Sequence, residues 1–182
     1  MTNTETLTGA SVGTWALDAV HSNVGFEVKY LVGNFRGQFR DIDGQLVVND
    51  DGRAALEGSA RVASVDVKDE MLAGHLQSPD FFDAERFPEI TFRSGGIDVA
   101  SGEIRAQGEI TIKGVTKAVE ISGTITPPSP DAYGNQRIGA VLSATVDRTD
   151  FGVNWNAPLP GGDQALGDEV TINAELFFTR SD

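Results

Sequence analysis

The sequence predicts an all-β protein of about eight antiparallel strands with one short helical segment. Apolar and polar residues alternate along most of the chain, which is typical of a sheet with one dry and one wet face. Such strands form a sandwich or a closed barrel, and closure leaves no exposed edge. Many positions on the dry face are small, which favours the bending of a barrel. These positions are Ala106, Gly108, Gly123, Ala140, Ala144 and Ala174.

Three strands are predicted in the first third of the chain. The first covers residues 22–30 and carries valine, phenylalanine and tyrosine at alternate positions. The second covers 38–48 and ends at the turn-forming residues 49–52, where asparagine, aspartate and glycine favour chain reversal. The third covers 54–67. It carries Ala60 and Val62 on one face.

Five further strands are predicted after residue 88. The fourth covers 89–99. The fifth and sixth form a hairpin over 104–126, with a turn at Gly114-Val115-Thr116. The seventh and eighth cover 136–147 and 169–179, and in both the residues at every second position, from Ile138 and from Val170, are apolar. Two longer irregular stretches separate these strands, at 127–135 and 148–167.

One helical segment interrupts the strands. We expect it to run from Val67 to Leu76, with Asp66 capping its first turn. Its short apolar stripe consists of Met71, Leu72 and Leu76. Because the segment up to Phe87 is rich in apolar residues, we predict that it forms a lid over one mouth of the barrel.

Composition limits the partners and the organisation of the chain. Its 182 residues suffice for one domain, which we place at 14–182 after a flexible lead-in at 1–13. Lys and Arg number 14 against 27 Asp and Glu, a net charge of -13, so nucleic acid and anionic membrane surfaces are disfavoured partners. With no cysteine, the fold has neither disulfides nor thiolate chemistry.

The small inward residues allow two interpretations. A barrel of about eight strands either fills its interior or holds one ligand, and small inward side chains favour a ligand. Alternatively, the small residues lie opposite bulky aromatic rings in a filled core. Ten of the chain's fourteen aromatic residues are likewise either ordinary core or the walls of an apolar tunnel. They are Phe26, Tyr30, Phe35, Phe39, Phe81, Phe82, Phe87, Phe92, Phe151 and Trp155.

No motif indicates catalysis or a metal site. His21 and His75 have no recognised metal-ligand spacing. Asp18, His21 and Ser22 are close in sequence, but neighbours on a strand face opposite sides, so a hydrogen-bonded strand start explains them better than a nucleophile and its base. We expect no catalytic residue, no metal and no cofactor other than a bound ligand.

Three ordered segments carry a resemblance to a known family. They are Trp15-Ala-Leu-Asp-Ala-Val-His-Ser-Asn-Val-Gly-Phe26, Phe81-Phe-Asp-Ala-Glu-Arg-Phe-Pro-Glu-Ile-Thr-Phe92 and Arg148-Thr-Asp-Phe-Gly-Val153. The chain resembles the YceI-like family of polyisoprenoid-binding proteins from about Thr14 to Thr179. The resemblance implies an extended lipocalin-like antiparallel barrel that holds a long isoprenoid or other lipid without catalysis, and it implies frequent dimers.

The sequence differs from the family pattern in one segment, and its first residues bear on the cellular location. Members often carry Arg-Asp and a basic residue before the Phe-Phe segment, whereas Lys68-Asp69 and Gly74-His75 stand here. The first residues show neither a basic nor an apolar leader region, so we expect a cytoplasmic protein with no stable membrane insertion; a chain whose leader was removed would look the same. A cytoplasmic lipid or quinone is the expected ligand, and a homodimer is possible.

The expected function is non-catalytic binding, storage or transport of a long-chain isoprenoid, of polyprenyl or quinone type. Alternatives are a binder of fatty acyl chains or other amphiphiles, a lipocalin-like enzyme acting on an apolar substrate, and a structural protein with a filled barrel. The residues expected to contact the ligand share inward parity or aromatic character. They are Val24, Phe26, Val28, Tyr30, Phe39, Phe82, Phe92, Ile110, Ile121, Leu142, Trp155, Ile172 and Phe178.

Overall fold

The computed structural model describes residues 12–99 and 101–181 of the chain. Eleven strands, one helix and two short 3₁₀ turns make up this part, and every strand pairing is antiparallel. The strands are β1 (Gly13–Leu17), β2 (Asn23–Tyr30), β3 (Gly33–Phe39), β4 (Ile42–Val48), β5 (Arg53–Arg61), β6 (Val65–Asp66), β7 (Glu89–Asp98), β8 (Glu103–Ile112), β9 (Val115–Pro130), β10 (Gln136–Asp147) and β11 (Leu166–Arg180). The helix is α1 (Glu70–Gln77), and the 3₁₀ turns are Val62–Ser64 and Arg148–Phe151.

The strands close into a barrel with eight strand positions, as the sequence predicts. Five positions are single strands, β7 to β11, and the other three are each occupied by two shorter strands in succession. The first of these three positions holds β1 and β2, which both pair with β11. The second holds β4, which pairs with β1, and β3, which pairs with β2. The third holds β5, which pairs with β4, and β6, which pairs with β3. β1 beside β11 closes the ring of β1, β4, β5 and β7 to β11, whereas the branch of β2 and β3 ends at β6, which pairs with β3 alone among the described strands.

The predicted second and third strands were wrong in extent because each one breaks. β3 ends at Phe39 and β4 begins at Ile42, and both of these residues are buried. An odd separation between two inward residues reverses the alternation, which an uninterrupted strand cannot do. The N–H of Arg40 donates to the carbonyl of Ser64, so the breaks in neighbouring strands lie side by side.

Other boundaries also differ from the prediction. β1 was missed because five residues are too short to show a period, and β11 begins at Leu166. The hairpin turns at Lys113 and Gly114, which both have positive φ, as a two-residue turn requires. β9 continues through its prolines to Pro130, and the pairing with β10 shifts register there, which is where a sheet tolerates proline.

Helix α1 begins later than predicted. Asp69, not Asp66, is its cap: the Asp69 carboxylate accepts a hydrogen bond from the N–H of Leu72 at 3.0 Å. Asp66 instead lies in β6, where it accepts from Nε of Arg40. Leu76 is buried but Met71 is 86% exposed, so Met71 is not part of an inward stripe. In the described residues no helix has the length and apolarity to cross a membrane.

The predicted lead-in lies mostly beyond the structure. Residues 1–11 are outside the described part of the chain, whereas Gly13 already belongs to β1. Strand parity agrees with the prediction in the long strands, where the inward residues of β8, β10 and β11 are buried or half-buried.

The interior divides into two halves. In the closed half, around β1, the side chains pack into a hydrophobic core; Trp15, Ile97, Ile138 and Phe178 are almost wholly buried there. In the open half, around β2, β3 and the starts of β7 and β9, the side chains surround a cavity. The barrel is therefore a cup rather than a tunnel.

A hydrogen-bonded network supports the break between β1 and β2. Arg137 donates from Nη1 to Asp18 at 2.8 Å and from Nε to Asp131 at 2.9 Å, and His21 lies 2.7 Å from the Asp18 carboxylate. The hydrogen bond from Arg137 lowers the pKa of Asp131 to about 2, with smaller contributions from the backbone N–H groups of Tyr133 and Asn135. Burial raises the pKa of Asp18, but its hydrogen bonds with His21 and Arg137 outweigh this and lower it.

We expect Asp131→Asn to lower the melting temperature at pH 7 by a few degrees, because it removes the charge while retaining an acceptor oxygen. A carboxylate whose folded pKa is depressed stabilises the protein above its ordinary pKa, and this contribution is lost as pH falls from about 4 towards 2. The difference in melting temperature between wild type and Asp131→Asn, measured by circular dichroism, should therefore become smaller as pH falls over that range. Asp50→Asn, in an exposed turn, is the control. A difference that does not change with pH would contradict the assignment.

Candidate functional site

A cavity of about 400 Å³ occupies the open half of the barrel. This volume lies within the range of about 300–1,000 Å³ that is usual for small-molecule sites. Residues of the strands and of the loops between them form its walls, and nearly all of the lining surface is carbon. The floor is formed by residues that also belong to the closed half, among them Ile121, Leu142 and Phe178.

The structure places all thirteen predicted contact residues on the wall of this cavity. Val24, Phe26 and Val28 line it from β2, where strand alternation brings them to one face. Trp155 lies in an irregular stretch and reaches the wall although no strand pattern could place it. That these residues contact a ligand stays a prediction.

Aromatic rings form one continuous wall. The ring centroids of Phe26 lie 6.2 Å from Phe35, 5.8 Å from Phe39 and 6.3 Å from Phe82, and Phe39 is 5.8 Å from Phe82. Contacts at these distances and tilted angles are favourable. Phe35 is not among the thirteen predicted contact residues because the second strand was predicted to begin at residue 38; β3 begins at Gly33, so Phe35 shares a face with Phe39.

Two segments cover the mouth, and together we call them the cap. The first is α1 with residues 78–84, which contributes Leu72, Leu76 and Phe81 to the wall. The second is residues 148–155, which contributes Phe151, Val153 and Trp155. The predicted lid thus covers the mouth only together with the second segment; that the lid moves when ligand binds stays a prediction.

His75 joins the two segments of the cap. Its ring stands edge-on to both Phe81 and Trp155, with centroids 4.9 Å and 5.0 Å apart. Its Nε2 lies 3.0 Å from a carboxylate oxygen of Asp80. Lys113 adds a second link, since Nζ donates to the carbonyl of Pro79 at 2.7 Å and to that of Gly152 at 3.3 Å.

Arg148 is the charged side chain at the cavity that sequence reasoning missed. It is 6% exposed, and its guanidinium donates to backbone carbonyls that fix the second cap segment and the start of β11. The acceptors are Gly167 at 2.7 Å, Val153 and Trp155 at 2.8 Å, and Leu166 at 3.4 Å. Burial lowers the pKa of Arg148, while the nearby carboxylates of Asp168 and Asp147 act against this.

The other sequence candidates take structural roles. The Ser22 hydroxyl accepts from the N–H of Phe177 at 2.9 Å, whereas His21 contacts Asp18, so their side chains make separate hydrogen bonds. Among the described residues no three His, Cys, Asp or Glu side chains are grouped so that they could hold a metal ion.

Comparison with known proteins places the chain in a family. A family model described as a YceI-like domain matches residues 15–178. The chain belongs to the YceI-like family. A UPF0312 protein of Staphylococcus aureus strain N315 is 30% identical over 92% of this chain and 98% of its own length.

Solved structures share the YceI-like fold. The Campylobacter jejuni YCEI protein is 26% identical, with a TM-score of 0.70 over 91% of this chain and 97% of that one. A polyisoprenoid binding domain from Saccharophagus degradans has a TM-score of 0.72 over 92% and 98%, at 14% identity, which shows a common fold alone. The extended lipocalin-like barrel implied by the resemblance is therefore confirmed.

In this YceI-like chain the small inward residues do not all leave open space. Ala144 and Ala174 line the cavity, but Ala106 and Ala140 pack in the filled half. Gly108 lies beneath Phe92, whose ring atoms would be 2.8 Å from a Cβ placed there. A Cβ on Gly123 would overlap the carbonyl oxygen of Val141. Of the two interpretations of the small inward residues, the one with open space therefore does not hold for Gly108 and Gly123.

Gly58 is the glycine that borders the cavity with room for a side chain. It lies between the inward residues Leu56 and Ala60 of β5, and it lines the cavity. A Cβ at Gly58 would make one ordinary contact, 3.6 Å from the carbonyl oxygen of Asp43. The sequence pattern gave no signal that separates Gly58 from Gly108, because the difference depends on the neighbouring strand.

Proposed function

We propose that this YceI-like protein binds one isoprenoid lipid, of polyprenyl or quinone type, inside the cavity and stores or carries it without chemical change. The observation that carries the proposal is the apolar cavity of about 400 Å³, which lies between a packed core at one end and the cap at the other. Each methylene buried there contributes roughly 0.8 kcal/mol, so a few isoprene units compensate the cost of ordering the ligand.

The comparisons support the class of ligand. The Saccharophagus degradans domain, which has the same fold, is a polyisoprenoid binding domain. The aromatic wall around Phe26 and Phe39 suits the apolar, methyl-branched units of such a chain, because aromatic side chains offer large apolar contact areas.

The state of the polar groups supports binding rather than catalysis. A catalytic site needs a nucleophile or general base that is within reach of a substrate and is oriented by a partner. Here the donors of Arg148 are directed to backbone carbonyls, and Ser22 accepts from a backbone N–H. A location in the cytoplasm and a homodimer belong to the proposal as predictions.

The test is displacement of a fluorescent long-chain probe from lipid-free protein. We expect geranylgeraniol and a short-tailed ubiquinone to displace the probe with one site per chain and micromolar or lower Kd. Calorimetry should give a negative heat-capacity change, the signature of apolar burial. Palmitate is the comparison ligand: tighter binding of palmitate than of either isoprenoid would show an acyl carrier. Failure of all three to displace the probe would overturn the proposal.

A further inference from the structure

The turn between β2 and β3 exposes apolar side chains that the fold hardly uses. Tyr30 pairs with Gly33 across this two-residue turn, and Leu31 and Val32 form its tip. Leu31 has a φ of +51°, which in such a turn favours glycine or asparagine, and Val32 is fully exposed. The sequence thus places two apolar residues where backbone conformation and hydration both favour other types. An outlier of this kind indicates a role outside the folded chain.

This tip lies at the mouth of the cavity. Tyr30 is 46% exposed and also lines the cavity. The N–H of Leu31 donates to the carbonyl of Ala165 at 3.0 Å, so the tip lies against the loop that leads into β11. We call residues 30–33 and 157–165 together the mouth edge. A partner bound to the mouth edge would lie beside the opening of the cavity.

The mouth edge is almost free of charge. Asp163 is the one charged residue in its sequence, although 23% of the residues in the whole chain are charged. Arg36, farther along β3, is paired with Glu27 at 2.9 Å. Such an edge offers no electrostatic attraction to a polyanion or a polycation, and it suits a partner whose surface has no net charge.

The apolar tip is too small for a stable protein partner. Tyr30, Leu31 and Val32 together expose apolar surface on the order of 300 Å², no more than an ordinary patch on a monomer. A specific protein interface takes about 800 Å² from each partner. A lipid bilayer needs no matching shape, and tyrosine beside aliphatic side chains is suited to the boundary between head groups and acyl chains.

We propose that the mouth edge docks reversibly on a phospholipid bilayer without net charge. Leu31 and Val32 enter the head-group region, and Tyr30 lies beside the opening of the cavity. Docking in this orientation lets an insoluble ligand pass between membrane and cavity without crossing water. This role in exchange rests on the proposed function, whereas docking of the lipid-free protein does not.

Flotation of lipid-free protein with phosphatidylcholine vesicles tests the docking. We expect the wild type to bind and Leu31→Gly/Val32→Asn to bind at least fivefold more weakly. Glycine followed by asparagine suits a two-residue turn, so the melting temperature of this double variant should be unchanged or higher. Val32→Asn alone changes a fully exposed side chain and should also weaken binding.

Val20→Asn is the matched control. Val20 is 89% exposed and precedes β2, at the end of that strand remote from Tyr30, so its replacement should leave vesicle binding unchanged. Replacing part of the phosphatidylcholine by phosphatidylglycerol should not strengthen binding, because the chain has a net charge of -13. Transfer of the bound fluorescent probe to vesicles should become faster with vesicle concentration in the wild type, and this dependence should be lost in the double variant.

Absence of vesicle binding, or full binding by both tip variants, would overturn the inference and leave the proposed function standing. A wild-type dimer in sedimentation velocity that the double variant makes monomeric would show that a second copy covers the tip, and it would overturn the inference as well. Failure of the probe to bind the lipid-free protein would contradict the proposed function alone, since flotation decides the docking without a ligand.

Discussion

Leucine in place of Gly58 is expected to weaken isoprenoid binding at least tenfold without loss of stability. The new side chain would enter the cavity, because Gly58 lies between inward residues and its Cβ position is free of clashes. If it displaces about three methylenes of the ligand at about 0.8 kcal/mol each, the loss is about 2 kcal/mol, which corresponds to more than tenfold in Kd. The melting temperature of the lipid-free protein should be unchanged or higher, since leucine buries apolar area.

Two variants control this experiment. Ala55→Leu adds the same side chain to the outward face of β5 and should leave binding unchanged. Gly123→Leu should destabilise the protein whether or not a ligand exists, because its φ is +156° and its Cβ position overlaps the carbonyl oxygen of Val141. Unfolding of Gly58→Leu at the temperature of Gly123→Leu, or full binding by a stable Gly58→Leu, would contradict the cavity assignment.

Methionine in place of Arg148 is expected to destabilise the fold by about 3 kcal/mol or more. The substitution leaves carbonyls that each lose a charge-assisted hydrogen bond, and a buried unsatisfied polar group costs about 1–3 kcal/mol. Arg148→Lys should fall between wild type and Arg148→Met, since an ammonium group cannot reproduce the planar fork of donors. Urea unfolding measures both values, and hydrogen exchange should show faster opening of the second cap segment and the residues up to Gly167.

Arg105→Met is the matched control for Arg148. Arg105 lies on the outer face of β8, its side chain is 80% exposed, and its ion pair with Glu120 measures 3.8 Å. Loss of such a pair should change the free energy of unfolding by about 0.5 kcal/mol or less. If Arg148→Met proves as stable as Arg105→Met, Arg148 does not hold the cap in the way described.

The fold was predictable from the sequence where long strands alternate without interruption. β8, β10 and β11 have the inward residues that their parity predicts, because a period of two is visible over ten or more residues. The breaks at Arg40 and at Val62 were not predictable, because each one reverses parity within two or three residues. A single sequence does not distinguish this reversal from noise in the pattern.

The candidate site was predictable to the extent that it depends on parity. All thirteen predicted residues line the cavity. Phe81 and Phe151 also line it, although the sequence left them as either core or wall, and Val153 was missed because it lies in a loop without a strand pattern. Arg148 was missed because its partners are backbone carbonyls, which carry no sequence signal. The sequence also did not predict that Trp15 and its neighbours fill one half of the barrel, because inward residues have the same pattern in filled and in empty regions.

Native mass spectrometry after incubation with a lipid extract of the source organism tests the central claim most directly. We predict one adduct per chain, with the mass of an isoprenoid, and no adduct on Gly58→Leu. An unliganded chain, or an adduct that Gly58→Leu retains in full, would contradict a lipid-binding cavity in the open half of this barrel.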